Sequence, residues 1–116
     1  MKSPGRSLWW LFFLPLILGL TRGTLRAAAA PDGASLFKQN CSMCHGVDGK
    51  GFAAIHTPNF TDPHWQAHNS DKEIVETIEN GKKGTPMPAF KDKLKPEDIQ
   101  ALLHYIRSLN SEKKEK

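Results

Sequence analysis

The segment Cys41-Ser42-Met43-Cys44-His45 constrains the fold of this chain more than any other part of its sequence. Two thiols three positions apart, followed at once by a histidine, form the C-x-x-C-H pattern of a c-type haem attachment site. Each thiol can form a thioether with one vinyl group of the porphyrin, and the imidazole can then reach the iron. The motif therefore predicts a fold built around a covalently bound haem c, attached through Cys41 and Cys44, with His45 as an iron ligand.

Three other uses of these five residues compete with haem attachment. A zinc site needs four ligands, and neighbours such as Cys44 and His45 diverge by about 100° on a helix. A thioredoxin-like redox pair lies near a βαβ pattern, whereas a helical pattern with no preceding strand leads into Cys41. A structural disulfide leaves His45 without a role. Disulfide or redox chemistry is thus the main alternative.

Residues 1–30 have the three-part layout of a secretory signal peptide. A basic N-terminus precedes an apolar run from Leu8 to Leu20, and small residues follow at positions 27–30. As a helix this run would reach about 20 Å, which is short of the roughly 30 Å hydrocarbon core of a bilayer. An uncleaved membrane anchor is the alternative, because two arginines make the cleavage region unusually basic. In both cases residues 31–116 are expected in the periplasm.

The charge of the chain does not indicate a nucleic-acid partner. The formal net charge is +4, but four of the 16 Lys and Arg residues lie in the first 30 residues, which contain no Asp or Glu. The other 12 basic residues balance the 12 acidic ones, so the exported part is formally neutral. Its core is small, and a buried porphyrin would supply apolar mass that a chain of this size lacks.

The first predicted helix runs from about Asp32 to Met43. Its apolar residues recur at helical spacing and place both thiols of the haem motif on the apolar face. Three closely spaced glycines then end the helix. Residues 52–69 contain two prolines and no sustained period, so they are expected to form a long irregular segment of the kind that wraps something.

Two further helices are predicted, and no strand. The first follows Ser70, which can cap it while Glu73 completes a capping box, and it ends at Gly81. The last begins at Pro96, a residue suited to a first helical position, and extends to Leu109. Residues 111–116 are expected to be a charged tail.

Met87 is the first choice for a second axial ligand. Pro86 and Pro88 each push the preceding residue into an extended conformation, which presents Met87 on a stiff strap. Filling a gap in the core is the usual role of a methionine. However, an iron held by His45 has a second face, and a thioether there raises the potential into a range suited to electron transfer. The competing ligands are the other histidines: His56, His64, His68 and His104.

These segments together resemble the class I c-type cytochromes, the small monohaem bacterial carriers and the related haem domains of oxidase and dehydrogenase subunits. The resemblance covers nearly all of residues 33–110. It rests on the haem motif with Gly46, the Asp48-Gly49-Lys50-Gly51 turn, the two later helices and Met87-Pro88-Ala89-Phe90. It implies an all-α cytochrome c fold with crossed N- and C-terminal helices around a covalent haem, in a domain over residues 31–110.

The resemblance also implies a role for individual residues. Cys41 and Cys44 would form the thioether links, His45 would be the proximal ligand and Met87 the distal one. The family usually has a proline carbonyl that accepts the N–H of the proximal imidazole, and Pro58 fits that role. Trp65 is expected to pack on the porphyrin, to donate to a propionate or to be part of the core.

The expected function is that of a monomeric, monohaem electron carrier without catalytic activity, which shuttles single electrons between redox protein partners in the periplasm. The alternative is a haem-bearing electron-transfer subunit of a dehydrogenase or a membrane-associated terminal oxidase complex. A gas-binding or peroxide-reducing protein would require Met87 to be displaced easily. Five lysines bracket the Met87 loop, and they fit either docking onto an acidic partner or a solvated surface: Lys82, Lys83, Lys91, Lys93 and Lys95.

Overall fold

A computed structural model of the chain describes residues 29–111, and helices dominate this part. Their bounds are α1 Gly33–Asn40, α2 Ser42–His45, α3 Pro63–His68, α4 Asp71–Asn80 and α5 Pro96–Ser108, with a 3₁₀ turn at Ala53–Ile55. No strand occurs among the described residues, and the predicted all-α class is confirmed. No helix in this part is long and apolar enough to cross a membrane. The predicted signal peptide lies almost entirely outside the described residues, as does all but the first residue of the predicted tail.

The first and last helices of the described chain pack on each other, as the resemblance implies. The contact is close because α1 begins with a glycine: a Cβ on Gly33 would overlap the carbonyl oxygen of Ala101 in α5. Helix α4 packs on α5 as well. The core that these helices enclose consists of Phe37, Phe60, Ile74, Ile78, Leu94, Ile99, Leu102, Leu103, Ile106 and Leu109.

The single first helix predicted from Asp32 to Met43 is divided in two. Helix α1 ends at Asn40, and Cys41 leaves helical geometry with φ −120° and ψ −31° before the single turn of α2 begins. The break changes where the thiols lie. Cys41 packs against the core, but Cys44 is exposed, so the expectation that both thiols occupy the apolar face was wrong for Cys44.

The segment expected to be irregular over residues 52–69 contains helix α3. Asp62 caps it by accepting a hydrogen bond from the backbone N–H of His64 at 2.9 Å, and Pro63 occupies the first helical position. The buried side chain of Gln66 fixes the helix, because its Nε2 donates to the carbonyls of Phe60 at 2.7 Å and Ile106 at 2.9 Å. The remainder of the segment is irregular apart from the 3₁₀ turn.

The two later helices agree with their predictions. Ser70 and Glu73 form the predicted capping box at the start of α4, with the Glu73 carboxylate accepting the Ser70 N–H at 2.7 Å. Helix α4 ends before Gly81, and α5 begins at Pro96. At the start of α5, Asp98 accepts the backbone N–H of Lys95 at 3.0 Å.

Candidate haem site

A cleft penetrates the described part of the chain. Every helix contributes to its lining, for example through Phe37, His45, Trp65, Ile74 and Ile106. The lining is mostly apolar, as is usual for small-molecule and cofactor sites. Four of the five predicted site residues share this lining: Cys41, His45, Pro58 and Met87. Cys44, the fifth, is exposed and is not part of it.

His45 is held at the C-terminal end of α2. Gly46 follows it with φ 76°, a conformation that glycine adopts readily, and the Gly51 N–H donates to the His45 carbonyl at 2.8 Å. The imidazole stacks on Phe60 with ring centroids 4.8 Å apart. Burial lowers the pKa of His45 and so favours the neutral imidazole, which is the form that binds a metal.

The Nδ1 atom of His45 is buried and has no hydrogen-bond partner. The bond predicted from this imidazole to the carbonyl of Pro58 is therefore not formed in the structure, although both residues line the cleft. Gly51 lies directly against the backbone that precedes Pro58, because a Cβ on Gly51 would come within 2.6 Å of the Thr57 carbonyl oxygen. The turn that follows the haem motif thus packs closely on the residues around Pro58.

The two thiols differ in environment. Burial raises the pKa of Cys41 to about 11, and the positive charge of Lys93 opposes this shift only in part. Cys41 is therefore a neutral thiol at physiological pH. Cys44 lies three positions on with its side chain in solvent, and the two cysteines are not joined in a disulfide.

Met87 lies on the loop between α4 and α5, half-buried against the core. We call residues 82–90 the Met strap. Within the strap, the Lys82 N–H donates to the Met87 carbonyl at 3.3 Å, which brings the first residue of the strap next to Met87. Its end is joined to α4 by the Phe90 N–H, which donates to the Ile78 carbonyl at 3.0 Å. These bonds place the methionine in the same cleft as His45.

Sequence reasoning missed several residues of the lining. Phe60 stacks on His45 and also contacts Trp65, with ring centroids 4.7 Å apart. Thr77 lies three residues after Ile74 on α4, a spacing that places both on one helix face. Polar side chains also reach the lining, and these are Asn69, Glu73, Thr77 and Lys82.

Glu73 brings a negative charge to the lining. Hydrogen bonds from the backbone and side chain of Ser70 lower the pKa of Glu73, so its carboxylate is ionised at neutral pH. The histidines that compete with Met87 as iron ligands lie outside the cleft. All four are exposed and none lines the cleft: His56, His64, His68 and His104.

The residues of the cleft fit a covalently attached haem. The apolar lining suits a porphyrin, and Cys41 of the attachment motif is part of it. An imidazole and a thioether, the donor set of His45 and Met87, are the axial ligands of electron-transferring haem. The orphaned Nδ1 of His45 is a donor left for a second interaction that orients the ring. Among residues 29–111, no three His, Cys, Asp or Glu side chains are grouped to hold a metal ion.

Fold and site together define a c-type cytochrome, a small all-α electron-transfer domain that carries covalently bound haem c. The family model described as cytochrome c oxidase, cbb3-type, subunit III, matches residues 28–106. The chain belongs to this family. The resemblance to class I c-type cytochromes is thereby confirmed.

Curated relatives of the chain are also named as subunits of a cbb3-type cytochrome c oxidase. The cbb3-type cytochrome c oxidase subunit FixP of Bradyrhizobium sp. (strain ORS 278) is 40% identical over 93 residues, which cover 80% of this chain and 31% of the relative. The subunit CcoP of Cereibacter sphaeroides is 34% identical over 83 residues, which cover 72% of this chain and 28% of the relative. The chain therefore spans about a third of the length of these relatives or slightly less.

Solved structures of c-type cytochromes resemble the described fold. The KustC0563 c-type cytochrome is 40% identical, with a TM-score of 0.61, and the match covers 69% of this chain and 99% of that one. Cytochrome cL from Methylophaga aminisulfidivorans is 29% identical, with a TM-score of 0.57, over 67% of this chain and 51% of that one. The first of these matches therefore spans nearly the whole of the other chain.

Proposed function

We propose that this chain is a haem-bearing electron-transfer component of a cbb3-type terminal oxidase, which acts in the periplasm and has no catalytic activity of its own. The observation that carries the proposal is the shared lining of one cleft, which brings an imidazole and a thioether together inside a domain of this family. Relatives named as oxidase subunits support it over the free monomeric shuttle expected from the sequence. Residues 31–110 would form the haem domain, following an exported leader over residues 1–30.

We assign His45 and Met87 as the two axial ligands and the cysteines of the motif as the thioether anchors. Bound haem c supplies one-electron chemistry between the ferrous and ferric states. The chain would contribute an apolar cleft, and His45 and Met87 would hold the iron, which would leave no position on it for a substrate. The Pro58 carbonyl, on the same lining as the partnerless Nδ1 of His45, is assigned as the acceptor that would fix the imidazole.

Three large apolar side chains near Cys44 in the sequence are exposed, and we assign them to contact with a redox partner. Met43 is 89% exposed, Val47 75% and Phe52 47%, and all three lie within eight residues of Cys44. Large apolar side chains exposed together commonly mark an interaction surface. The five lysines that bracket Met87 lie in another part of the sequence, and they can orient an acidic partner during encounter.

The ligation is tested by replacing Met87 with alanine in the haem-loaded protein. We expect loss of the sulfur-to-iron charge-transfer band and faster carbon monoxide binding by the reduced protein, because the distal position opens. Met43→Ala is the matched control, since that methionine is exposed and is not part of the cleft lining. A charge-transfer band retained in Met87→Ala would overturn the assignment.

The assignment to an oxidase is tested by purification from the native host. An affinity tag at the C-terminus of the full chain should recover the catalytic oxidase subunit from detergent-solubilised membranes, in a complex that consumes oxygen. The complex should resist washing of the membranes in high salt. Recovery of the haem-loaded chain alone from a periplasmic extract, with no chain in the membranes, would instead support the free shuttle.

A further inference from the structure

The side chain of Arg107, in the last turn of α5, forms a set of hydrogen bonds that the proposed function does not use. Its Nη1 donates to the backbone carbonyl and to the side-chain Oε1 of Gln66, at 2.8 Å each. Its Nη2 donates to the Asn69 carbonyl, and its Nε donates to the Asp71 carboxylate at 2.7 Å. The guanidinium thus joins the C-terminal end of α3 and the start of α4 to α5.

Most of this network is shielded from solvent. The side chain of Arg107 is 21% exposed, and Gln66 is buried. The Asp71 side chain is 66% exposed, and an exposed ion pair of this kind contributes little to stability. The Gln66 carbonyl is one of the last carbonyls of α3, which lack a donor within the helix. The bonds to Gln66 and Asn69 therefore matter more than the bond to Asp71.

Arg107 fixes the orientation of the side-chain amide of Gln66. The Oε1 atom accepts from the guanidinium, so the two protons of Nε2 are left for two further acceptors. Those acceptors are the main-chain carbonyls of Phe60 at 2.7 Å and Ile106 at 2.9 Å. With the amide reversed, its NH₂ group would face the cationic guanidinium and both carbonyls would lose their donor. The orientation of one buried amide thus links Arg107 to Phe60.

Phe60 connects this network to the imidazole of the haem motif. The Phe60 N–H donates to the Gly49 carbonyl at 2.8 Å, and the Phe60 carbonyl accepts from Gln66, so its backbone is held on both sides. Its buried ring stacks on the His45 imidazole with an interplanar angle of 23°. Nδ1 of this imidazole has no hydrogen-bond partner among the described residues. Packing, rather than a hydrogen bond at Nδ1, therefore orients the ring in this structure.

We propose that Arg107 is a positioning residue for the His45 imidazole. It acts through the side chain of Gln66 and the ring of Phe60, and the inference rests on the proposed ligation of the iron by His45. Groups beyond the ligands orient the ligand rings and tune the electronic properties of a haem iron. Loss of the guanidinium frees the Gln66 amide to rotate and lets the imidazole adopt more than one orientation.

The test is electron paramagnetic resonance of the oxidised, haem-loaded full chain, together with its midpoint potential. The g-values of a low-spin haem depend on the orientation of the axial imidazole, so the wild type should show one sharp set. Arg107→Lys keeps the charge but loses the planar fork that serves several acceptors at once. Gln66→Glu keeps an acceptor for Arg107 but loses the donor to Phe60. Both variants should broaden or split the g-values and shift the potential.

The double variant tests whether the two residues act along one path. Because both substitutions interrupt the same connection, the potential shift of the double variant should equal the larger single shift rather than the sum of the two. Wild-type g-values and potential in both Arg107→Lys and Gln66→Glu would overturn the proposal. A wild-type protein without a low-spin histidine–methionine signal would overturn the proposed ligation as well.

Two control variants separate positioning from stability. Asp71→Asn removes only the exposed end of the network. Leu103→Ala opens a cavity at a buried residue of α5 that is not part of the cleft lining, so it should melt at a lower temperature than the wild type. Both controls should keep the wild-type g-values, and broadening in Leu103→Ala equal to that in Arg107→Lys would contradict a positioning role. None of these measurements depends on the oxidase assignment.

Discussion

Replacing Gly81 with alanine should displace the Met strap from α4. Gly81 has φ 71° and ψ −174°, a backbone region that is nearly restricted to glycine and that costs another residue about 1–3 kcal/mol. A Cβ at this position would also lie 2.7 Å from the carbonyl oxygen of Met87 and 2.9 Å from the backbone nitrogen of Ala89. Both neighbours are main-chain atoms of the strap, so the overlap is relieved only if the strap moves.

The expected loss of stability follows from these two contributions. Overpacking of this kind costs about 1–3 kcal/mol, which together with the backbone strain gives about 2–6 kcal/mol. Gly84→Ala is the matched control, because Gly84 also has a positive φ of 76° but a Cβ there would meet nothing within 4 Å. Only the left-handed backbone, worth about 1–2 kcal/mol, is then changed. The difference between the two variants isolates the contact with the strap.

Thermal unfolding followed by circular dichroism measures this difference in the haem-loaded protein. For a domain of this size about 1 kcal/mol shifts the melting temperature by about 4–8 °C, so Gly81→Ala should melt at least about 4 °C below Gly84→Ala. Under the proposed ligation, Gly81→Ala should also weaken the sulfur-to-iron charge-transfer band, which Gly84→Ala should retain. Equal melting temperatures and an intact band in both variants would refute the reasoning.

Three further substitutions probe contacts away from the strap. Gly33→Ala should lower the melting temperature, because its Cβ would overlap the Ala101 carbonyl oxygen and force α1 away from α5; unchanged melting would contradict this close approach. Gln66→Leu should cost about 1–3 kcal/mol in denaturant unfolding, since it removes the donor to two main-chain carbonyls. Glu73→Gln should make the free energy of unfolding depend less on pH in the acid range. The folded pKa of Glu73 lies below its ordinary value of 4.5, so its contribution is present above pH 4.5 and is lost as the pH falls through the folded pKa.

Helices whose boundaries are marked by local signals were predictable from sequence. The bounds of α4 depend on Ser70 and Glu73 at one end and Gly81 at the other, and each of these residues acts within one helical turn. Helix α3 was missed because six residues are too few to show a period. Its one local signal, Asp62 before Pro63, matches a cap followed by a proline at the first position, and it would have predicted the start of the helix.

The break between α1 and α2 had no such signal. Apolar spacing runs through Cys41 without interruption, and the chain leaves helical geometry at the residue that packs against the core. The separation of the two thiols into a half-buried and an exposed position depends on that break. A period read along the sequence assumes one continuous helix, so it placed Cys44 on the wrong surface.

Those residues of the candidate site that belong to recognisable sequence motifs were predictable. Cys41, His45 and Met87 stand in patterns whose chemistry requires those residue types, and the structure brings all three to one cleft. Phe60, which stacks on His45, stands in no such pattern and lies fifteen residues further along the chain. Its contribution depends on how the loop after α2 folds back, which is a property of the packed chain.

The two proposed axial ligands are held by different kinds of support. His45 ends a helix, stacks on a buried ring and has its carbonyl bonded to the following turn. Met87 lies on a loop whose position is set by hydrogen bonds near the C-terminal end of α4 and by the close approach of Gly81. A structural change at that end of α4 should therefore shift the position of Met87 more than that of His45. Under the proposed ligation the thioether would raise the potential of the iron. We therefore expect a change at the junction between α4 and the Met strap to alter the potential while the haem stays attached.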